Sequence, residues 1–439
     1  MKKTFQKAIL FMAAMTLPFG FASCSDDNNS SNGNGDNVVP VSVLSTATTD
    51  YVNTIVYPTY KDLAANCKTL NEACKTLYAH ANAGTMTQAD IDAACEAFKD
   101  ARREWERSES FLYGAATDNE IDPHIDSWPL DHDQMVNALN NSAVIAGIHG
   151  DNAAKYVYDN NGSFESVLGF HGLEFVLFRN GKNRAVEALK ANETEEGMTS
   201  VKGIDEIAFV AAVSGDLRNM TSLLYYGWTA DATLGTWLTN NCKWVLDNTK
   251  HAGLCSENIG YGEFLLNATG QKAFFSTWQE TLENVLVAGC SNICQEVYTQ
   301  KLGQAYRVAT GHGGTTEDGE KESIDYIESP NSKRSFIDYQ DNLYSIKNTL
   351  YGTRDITATT PSSTSLMAIM KNYNYSGYSA LNTALNEAIA ALETAKNSGI
   401  AFVDNPSHEQ VKNAIEKINT LDDELNNAGT WFRKLKTSK

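Results

Sequence analysis

The amino-acid sequence predicts an all-α protein organised as two helical-bundle domains. Three observations carry this. No proline lies between Asp131 and Ser329, so the middle of the chain lacks the residue that most often ends a helix. Apolar residues recur at three- and four-residue steps, which places them on one face of a helix. The regular apolar–polar alternation of a half-buried strand is missing. At 439 residues, the chain is long enough for two cores.

Taken in order, residues 1–23 read as a secretion signal. Lys2, Lys3 and Lys7 precede a mostly apolar stretch from Ala8 to Ala22. The segment ends Phe21-Ala22-Ser23-Cys24 and resembles the lipobox at which bacterial lipoproteins are acylated, so Cys24 is the expected lipidation site. Residues 24–44 are the acylated cysteine and a flexible tether. Its stretch from Ser25 to Pro40, SDDNNSSNGNGDNVVP, has too little apolar surface to offset the entropy of ordering. Asp26-Asp27 resembles the surface-export signal of Bacteroidetes lipoproteins. The expected location is the outer membrane or cell surface, with the lipid as the membrane contact. No later run approaches the roughly 18 apolar residues of a spanning helix.

The first bundle domain is expected over 45–235 and the second over 236–439, with the boundary near 225–250. Thr87 with Asp90 forms a capping-box pattern. A helical stripe follows: Ile91, Cys95, Phe98, Arg102, Trp105, Glu109 and Leu112. Phe275, Trp278, Leu282, Val285, Gly289, Ile293 and Val297 mark a long helix in the second half. Pro406-Ser407 with Gln410 opens a last helix bearing Val411, Ile415, Ile418, Leu421 and Leu425. Breaks are expected at Gly114–Leu130, Asn192–Gly203 and Ala309–Asn331.

The formal net charge is −19, and loss of the three signal lysines takes it to −22. That charge disfavours nucleic acid and anionic lipid as partners and suits a cation. Setting Cys24 aside leaves an odd number of cysteines, so at least one thiol stays unpaired. Cys95 and Cys294 fall on apolar stripes and read as small buried hydrophobes.

Residues 169–174 read Gly-Phe-His-Gly-Leu-Glu. In this G-x-H-x-x-E, His171 and Glu174 stand one helical turn apart and project from one face. The order differs from the H-E-x-x-H of zinc peptidases, where two histidines flank the glutamate. Gly169 and Gly172 imply either close helix packing or room for a ligand beside the imidazole. Three further segments stand out: Arg102 to Phe111, Ile125-Asp-Ser-Trp-Pro-Leu-Asp131, and Glu328-Ser-Pro-Asn-Ser-Lys-Arg-Ser-Phe-Ile-Asp338.

Together with the hexad these segments resemble the imelysin family, which includes insulin-cleaving membrane proteases and relatives of periplasmic iron-uptake proteins. The resemblance covers roughly residues 45 to 435. It implies two helical bundles with a functional site at their interface. It carries over Gly169, His171 and Glu174 directly. It also carries Ser108 and Glu109 as a Ser/Thr-Glu pair, Trp128 and Asp131 as a Trp-Pro-x-Asp loop, and Ser332, Ser335 and Asp338 as a Ser-rich helix start.

His171 supplies one nitrogen and Glu174 one carboxylate. A third ligand must come from elsewhere, and Glu109, Asp126 and Asp131 are the candidates, Glu109 foremost. One imidazole with several carboxylates suits iron, zinc or another hard-to-borderline cation. The expected ligand is thus a cation or a metal-bearing molecule such as haem, of the iron-uptake class. One alternative is a metallopeptidase of the insulin-cleaving type, although no motif completes a peptidase site and no serine or cysteine nucleophile setting is present. The other is a lipoprotein in which His171 belongs to a buried polar network that holds the interface without a ligand.

Overall fold

The structure, a computed structural model, describes residues 38–247, 259–268, 273–316 and 319–438. The signal segment, Cys24, most of the tether and Cys255 lie outside these residues. The described residues are about 68% helical, and the few strands among them are two residues long.

A first long helix, α1, runs through Val41–Asp50, a π-helical stretch Tyr51–Val56, and Tyr57–Asn82. Helix α2, Gln88–Glu106, packs antiparallel beside it. Its start is fixed by Asp90, whose Oδ2 accepts from the Thr87 N–H at 2.8 Å. Ile91, Cys95, Phe98, Arg102 and Trp105 are all buried, as the stripe predicts. The helix stops earlier than the stripe suggested. Ser108 Oγ donates to the Trp105 carbonyl at 2.7 Å, and Glu109–Phe111 is a single 3-10 turn.

The expected break after Gly114 holds only short pieces, among them α3, Ile121–Ile125. Helix α4, Gly169–Leu177, carries the hexad and is buried along its whole length. Helix α5, Gly203–Thr229, packs against α1 and α4 and completes the first bundle. Short helices at Ala232–Asn241, Lys243–Asp247 and Tyr261–Leu266 also lie on α5.

In the second half, α6 is a continuous run from Trp278–Asn284 to Gly303–Ala309, interrupted by π-helical stretches at Val285–Ser291 and Val297–Lys301. Thr277, whose side chain accepts from Glu280 N, caps its start, so Phe275 lies before the helix. A loop across 310–334, close to the expected third break, leads to α7, Ser335–Tyr351. Helices α8, Tyr378–Lys396, and α9, Glu409–Arg433, pack together, α8 against α7 and α9 along α6. The last helix begins at Glu409 with His408 as its cap, one residue beyond the predicted cap Ser407.

The bundles meet where α2 and its trailing 3-10 turn lie against α6 and α7. Ser110 N donates to Ser345 Oγ at 3.0 Å across this seam. Far from it, Val39–Pro40 pairs parallel with Thr437–Ser438 and brings the two ends of the described chain together. The six described cysteines are free and buried. Burial pushes Cys67, Cys74 and Cys290 up to about 12, and raises Cys294 well above its usual value. These thiols are packing residues rather than nucleophiles.

Candidate metal centre

Arg102 sits on the apolar face of α2, where the seam buries it completely. A guanidinium taken out of water needs several carboxylates to replace its hydration. It finds them on four elements. It pairs with Asp126, just past α3, with Glu328 in the loop before α7, and with Glu106 on its own helix at 2.5 Å. Asp338 on α7 stands 3.7 Å from its Nε. Its plane also lies over the Phe170 ring, 5.1 Å from the centroid.

His171 enters this cluster because two glycines let α4 approach. Gly169 has φ +62°, and a Cβ there would overlap the Ile125 carbonyl; one at Gly172 would overlap the Val167 carbonyl and press on Phe209. Of the two readings open for this pair, close packing is the one observed. It sets the His171 ring beside the residue that follows Ile125. His171 Nε2 lies 3.0 Å from Asp126 Oδ1 and 4.0 Å from Glu328 Oε1. The approach to Asp126 is close in distance but poorly directed for a hydrogen bond, so this buried nitrogen has no bonding partner. The other Asp126 oxygen accepts from Trp105 Nε1 at 2.7 Å.

Donor atoms of Asp126, His171 and Glu328 all fall within 4.8 Å of one another, as do those of Glu106, Glu109 and Asp126. The two sets share Asp126. Glu109 thus belongs to the neighbouring set, and Asp126 is the carboxylate against the imidazole. Glu174 belongs to neither set and meets the loop before α7: its Oε1 accepts from Ser332 N at 2.6 Å. Ser335 Oγ donates to the Glu328 carbonyl and Ser329 Oγ to Asp338 Oδ2, both at 2.6 Å. Ser329 and Lys333 hold φ of +54° and +56°. Left-handed backbone at two non-glycine residues marks a strained segment held by its contacts. Asp131 stands apart as a helix cap, accepting from Gln134 N at 2.9 Å. Ser108 closes α2 as described, and Trp128 lies half-buried against Tyr326, with ring centroids 4.6 Å apart.

Four participants were absent from the predicted site: Arg102, Glu106, Lys301 and Glu328. Arg102 had a signal, a permanent positive charge between Phe98 and Trp105 on a mostly apolar stripe. Lys301 had a weaker one, four residues past Val297 on the α6 stripe. Glu328 opens a segment singled out for its pattern, without any hint that it would meet Arg102.

The electrostatics are lopsided. Burial raises Glu106 and Glu109 well above the usual carboxylate range, against the opposing pull of Arg102 and Lys301. Burial likewise raises Glu174, and it pushes Asp122 on α3 up to about 7 with the help of Asp126. Burial would raise Asp126 too, but Arg102, then His171 and Lys301, hold it well below its usual value. Six buried acids (Glu106, Glu109, Asp126, Glu174, Glu328 and Asp338) face three permanent cations, Arg102, Lys301 and the partly buried Arg334, whose Nε lies 3.6 Å from Asp338 Oδ1. Such an excess favours uptake of a cation or of protons. An unpartnered imidazole nitrogen beside two carboxylates is a donor set that fits a divalent ion.

The imelysin family model matches residues 56–427. An iron-regulated protein A of Synechococcus elongatus is 31% identical over 128 residues, 29% of this chain and 30% of that protein. The matched part thus spans under a third of that relative. Among solved structures, one designated an iron-regulated protein A precursor, from Parabacteroides distasonis, superposes with a TM-score of 0.70 at 25% identity, covering 90% of this chain and 96% of that one. An imelysin-like protein of Psychrobacter arcticum covers 90% of this chain and 95% of its own at 16% identity and a TM-score of 0.48.

Proposed function

This chain belongs to the imelysin family, and from that premise we propose that it binds a metal cation, iron foremost, at Asp126, His171 and Glu328 where its two bundles meet. The observation that carries this reading is His171 Nε2: a fully enclosed nitrogen that faces carboxylate oxygens at 3.0 Å and 4.0 Å without a well-directed hydrogen bond to either. A buried polar atom left unpaired costs about 1–3 kcal/mol, so such atoms are rare unless something completes them. Names of relatives as iron-regulated proteins support iron over other cations. The bound ion would supply charge neutralisation to the surplus carboxylates. Arg102 holds Asp126 and Glu328 in place, and Trp105 fixes the second Asp126 oxygen.

The signal-like start, Cys24 and the polar tether that follows support a cell-envelope location with a lipid anchor. Cys24→Ala should then abolish fatty-acid labelling of the protein and its retention in membranes.

A second reading has one observation in its favour. Arg102 already pairs with Asp126 and Glu328, so the cluster also serves as a polar lock between the bundles. Titration calorimetry with Fe²⁺, Mn²⁺ and Zn²⁺ separates the two. On the metal reading the protein binds at least one ion, and His171→Asn and Asp126→Asn abolish it with helix content intact. At 100 times the dissociation constant, the ion stabilises the wild type by about 2.7 kcal/mol. Wild-type protein that binds none of them, with variants that are merely less stable, leaves the lock as the function of the cluster.

A further inference from the structure

Beside the donors of the previous subsection, Lys301 occupies a site of its own. It ends the π-helical stretch Val297–Lys301 of α6, and only 1% of its side chain is exposed. Its ammonium faces three carboxylates from three different elements. Glu328 Oε2 is 3.2 Å away, Glu296 Oε1 3.7 Å and Glu109 Oε1 3.8 Å. Two aromatic faces complete the enclosure, Trp128 at 5.5 Å and Tyr339 at 6.0 Å from the nitrogen to the ring centroid. Both fall within the roughly 6 Å over which a ring attracts a cation. The enclosure has a wet side, because Glu296 is 31% exposed and Trp128 is half-buried.

The three carboxylate distances are the informative feature. Charge-assisted N–H···O bonds close to about 2.7–2.9 Å. Arg102 reaches such contact with Asp126, Glu106 and Glu328. Lys301 does not reach it with any of its three partners, and Glu328 Oε2 has only the 3.2 Å ion-pair contact with the ammonium. Of the two buried cations, Lys301 is therefore the loosely held one. It also faces Glu328, the carboxylate whose other oxygen stands beside His171.

We infer that Lys301 is a tethered cation resident in an ammonium-type cage of Glu109, Glu296, Glu328, Trp128 and Tyr339, and that it determines which cations the adjoining donors accept. The cage assignment stands on its own geometry; the selectivity role rests on the metal reading above. An ion entering beside His171 shares Glu328 with Lys301. A divalent ion, with twice the charge of an ammonium, draws that carboxylate effectively. A monovalent ion meets half the repulsion from the lysine but also half the attraction of the carboxylates, so it has no advantage over the ammonium already present and the site rejects it.

The test uses the full chain and three variants. Lys301→Met keeps the stem and removes the charge; Lys301→Arg keeps the charge; Lys301→Ala empties the cage. Calorimetry with Mn²⁺ should show tenfold or tighter binding by Lys301→Met and little change in Lys301→Arg. Millimolar methylammonium should raise the melting temperature of Lys301→Ala and leave the wild type unmoved. Mn²⁺ binding by Lys301→Met within threefold of a wild type that binds the ion overturns the selectivity role. Absence of any methylammonium response in Lys301→Ala overturns the cage. A methylammonium response without Mn²⁺ binding by any form keeps the cage and sinks the metal reading instead. Should the neutral variants unfold, methylammonium or Mn²⁺ should refold them, and failure of both to do so overturns the inference.

Discussion

Two arginine–carboxylate clusters form around arginines of the first half of this chain, and they differ in how completely they are satisfied. Around Arg184, beside α4 and α5, every partner is matched. Arg184 pairs with Glu206 at 2.5 Å and with Glu193 at 3.0 Å, and Arg179 adds a bond to Glu193 at 2.8 Å. Glu193 Oε1 also accepts from Thr194 N at 2.6 Å. None of these side chains holds a buried unpaired atom. In the cluster around Arg102 several atoms have ion-pair contact but no well-directed hydrogen bond: His171 Nε2, Arg102 Nε, Glu106 Oε1, Glu328 Oε2 and Asp338 Oδ1. It also has two acids for each permanent cation. A closed network fixes a fold, whereas an open one of similar composition keeps donors in reserve. On the proposed metal reading, the comparison separates structural from functional polarity where burial and residue type do not.

The largest expected effect comes from removing each arginine. Arg102→Met and Arg184→Met should both destabilise the protein by about 3–5 kcal/mol, because each leaves buried carboxylates uncompensated. Urea unfolding measures this. The clusters should part when a divalent ion is added. Mn²⁺ should restore much of the loss in Arg102→Met, where surplus acids await a cation, and none of it in Arg184→Met. Equal rescue of both, or of neither, would erase the distinction between them.

A smaller effect appears on changing pH. Burial pushes Glu206 up to about 7, despite Arg184, and Asp122 up to about 7. In the unfolded chain these groups titrate near 4.3 and 3.9. Between those values and about 7 the folded state binds more protons than the unfolded one, so stability rises as pH falls through this window. Each group contributes at most about 1.4 kcal/mol per pH unit. Glu193 is the opposite case. Burial would raise it, but Glu206, Thr194 and the two arginines hold it down to about 2, so the stability it adds is lost only as pH falls below about 4. Melting temperatures in chelator should therefore climb from pH 8 to about pH 5. Asp122→Asn and Glu206→Gln should each flatten part of the climb. Saturating Mn²⁺ should reduce the Asp122 share alone, because cation and proton compete only at the open cluster.

Sequence periodicity revealed the helices because their buried faces repeat, and the caps at Thr87 and the stripe through Trp105 followed from local chemistry. His171 was legible for the same reason, since a motif is local. Its partner was not. Glu109 and Asp126 are equally acidic in sequence, and only the close approach of Gly169 to the Ile125 carbonyl decides that Asp126 meets the imidazole. Lys301 and Glu328 come from beyond residue 300, and no spacing rule ties a residue of α6 to one of α2. The end of α2 was misjudged because its apolar stripe continues past the helix into the 3-10 turn, while Ser108 ends the helix by bonding back to Trp105.

The smallest effect tests two acids of one segment. Asp126 and Asp131 are five residues apart and were equal candidates as ligands. Asp126 is buried against Arg102, Trp105 and His171. Asp131 is only half-buried, and its carboxylate caps the helix His132–Leu139. Losing an aspartate cap costs about 1 kcal/mol, within a range of roughly 0.5–2. Asp131→Ala should therefore lower stability by that amount and leave Mn²⁺ affinity within twofold of wild type. Asp131→Asn should recover most of the loss, because asparagine caps about as well as aspartate. Asp126→Asn should instead remove Mn²⁺ binding. If Asp131→Ala removes it as well, the ion is held farther along the Trp-Pro loop than His171, and the boundary between open cluster and structural cap must be redrawn there.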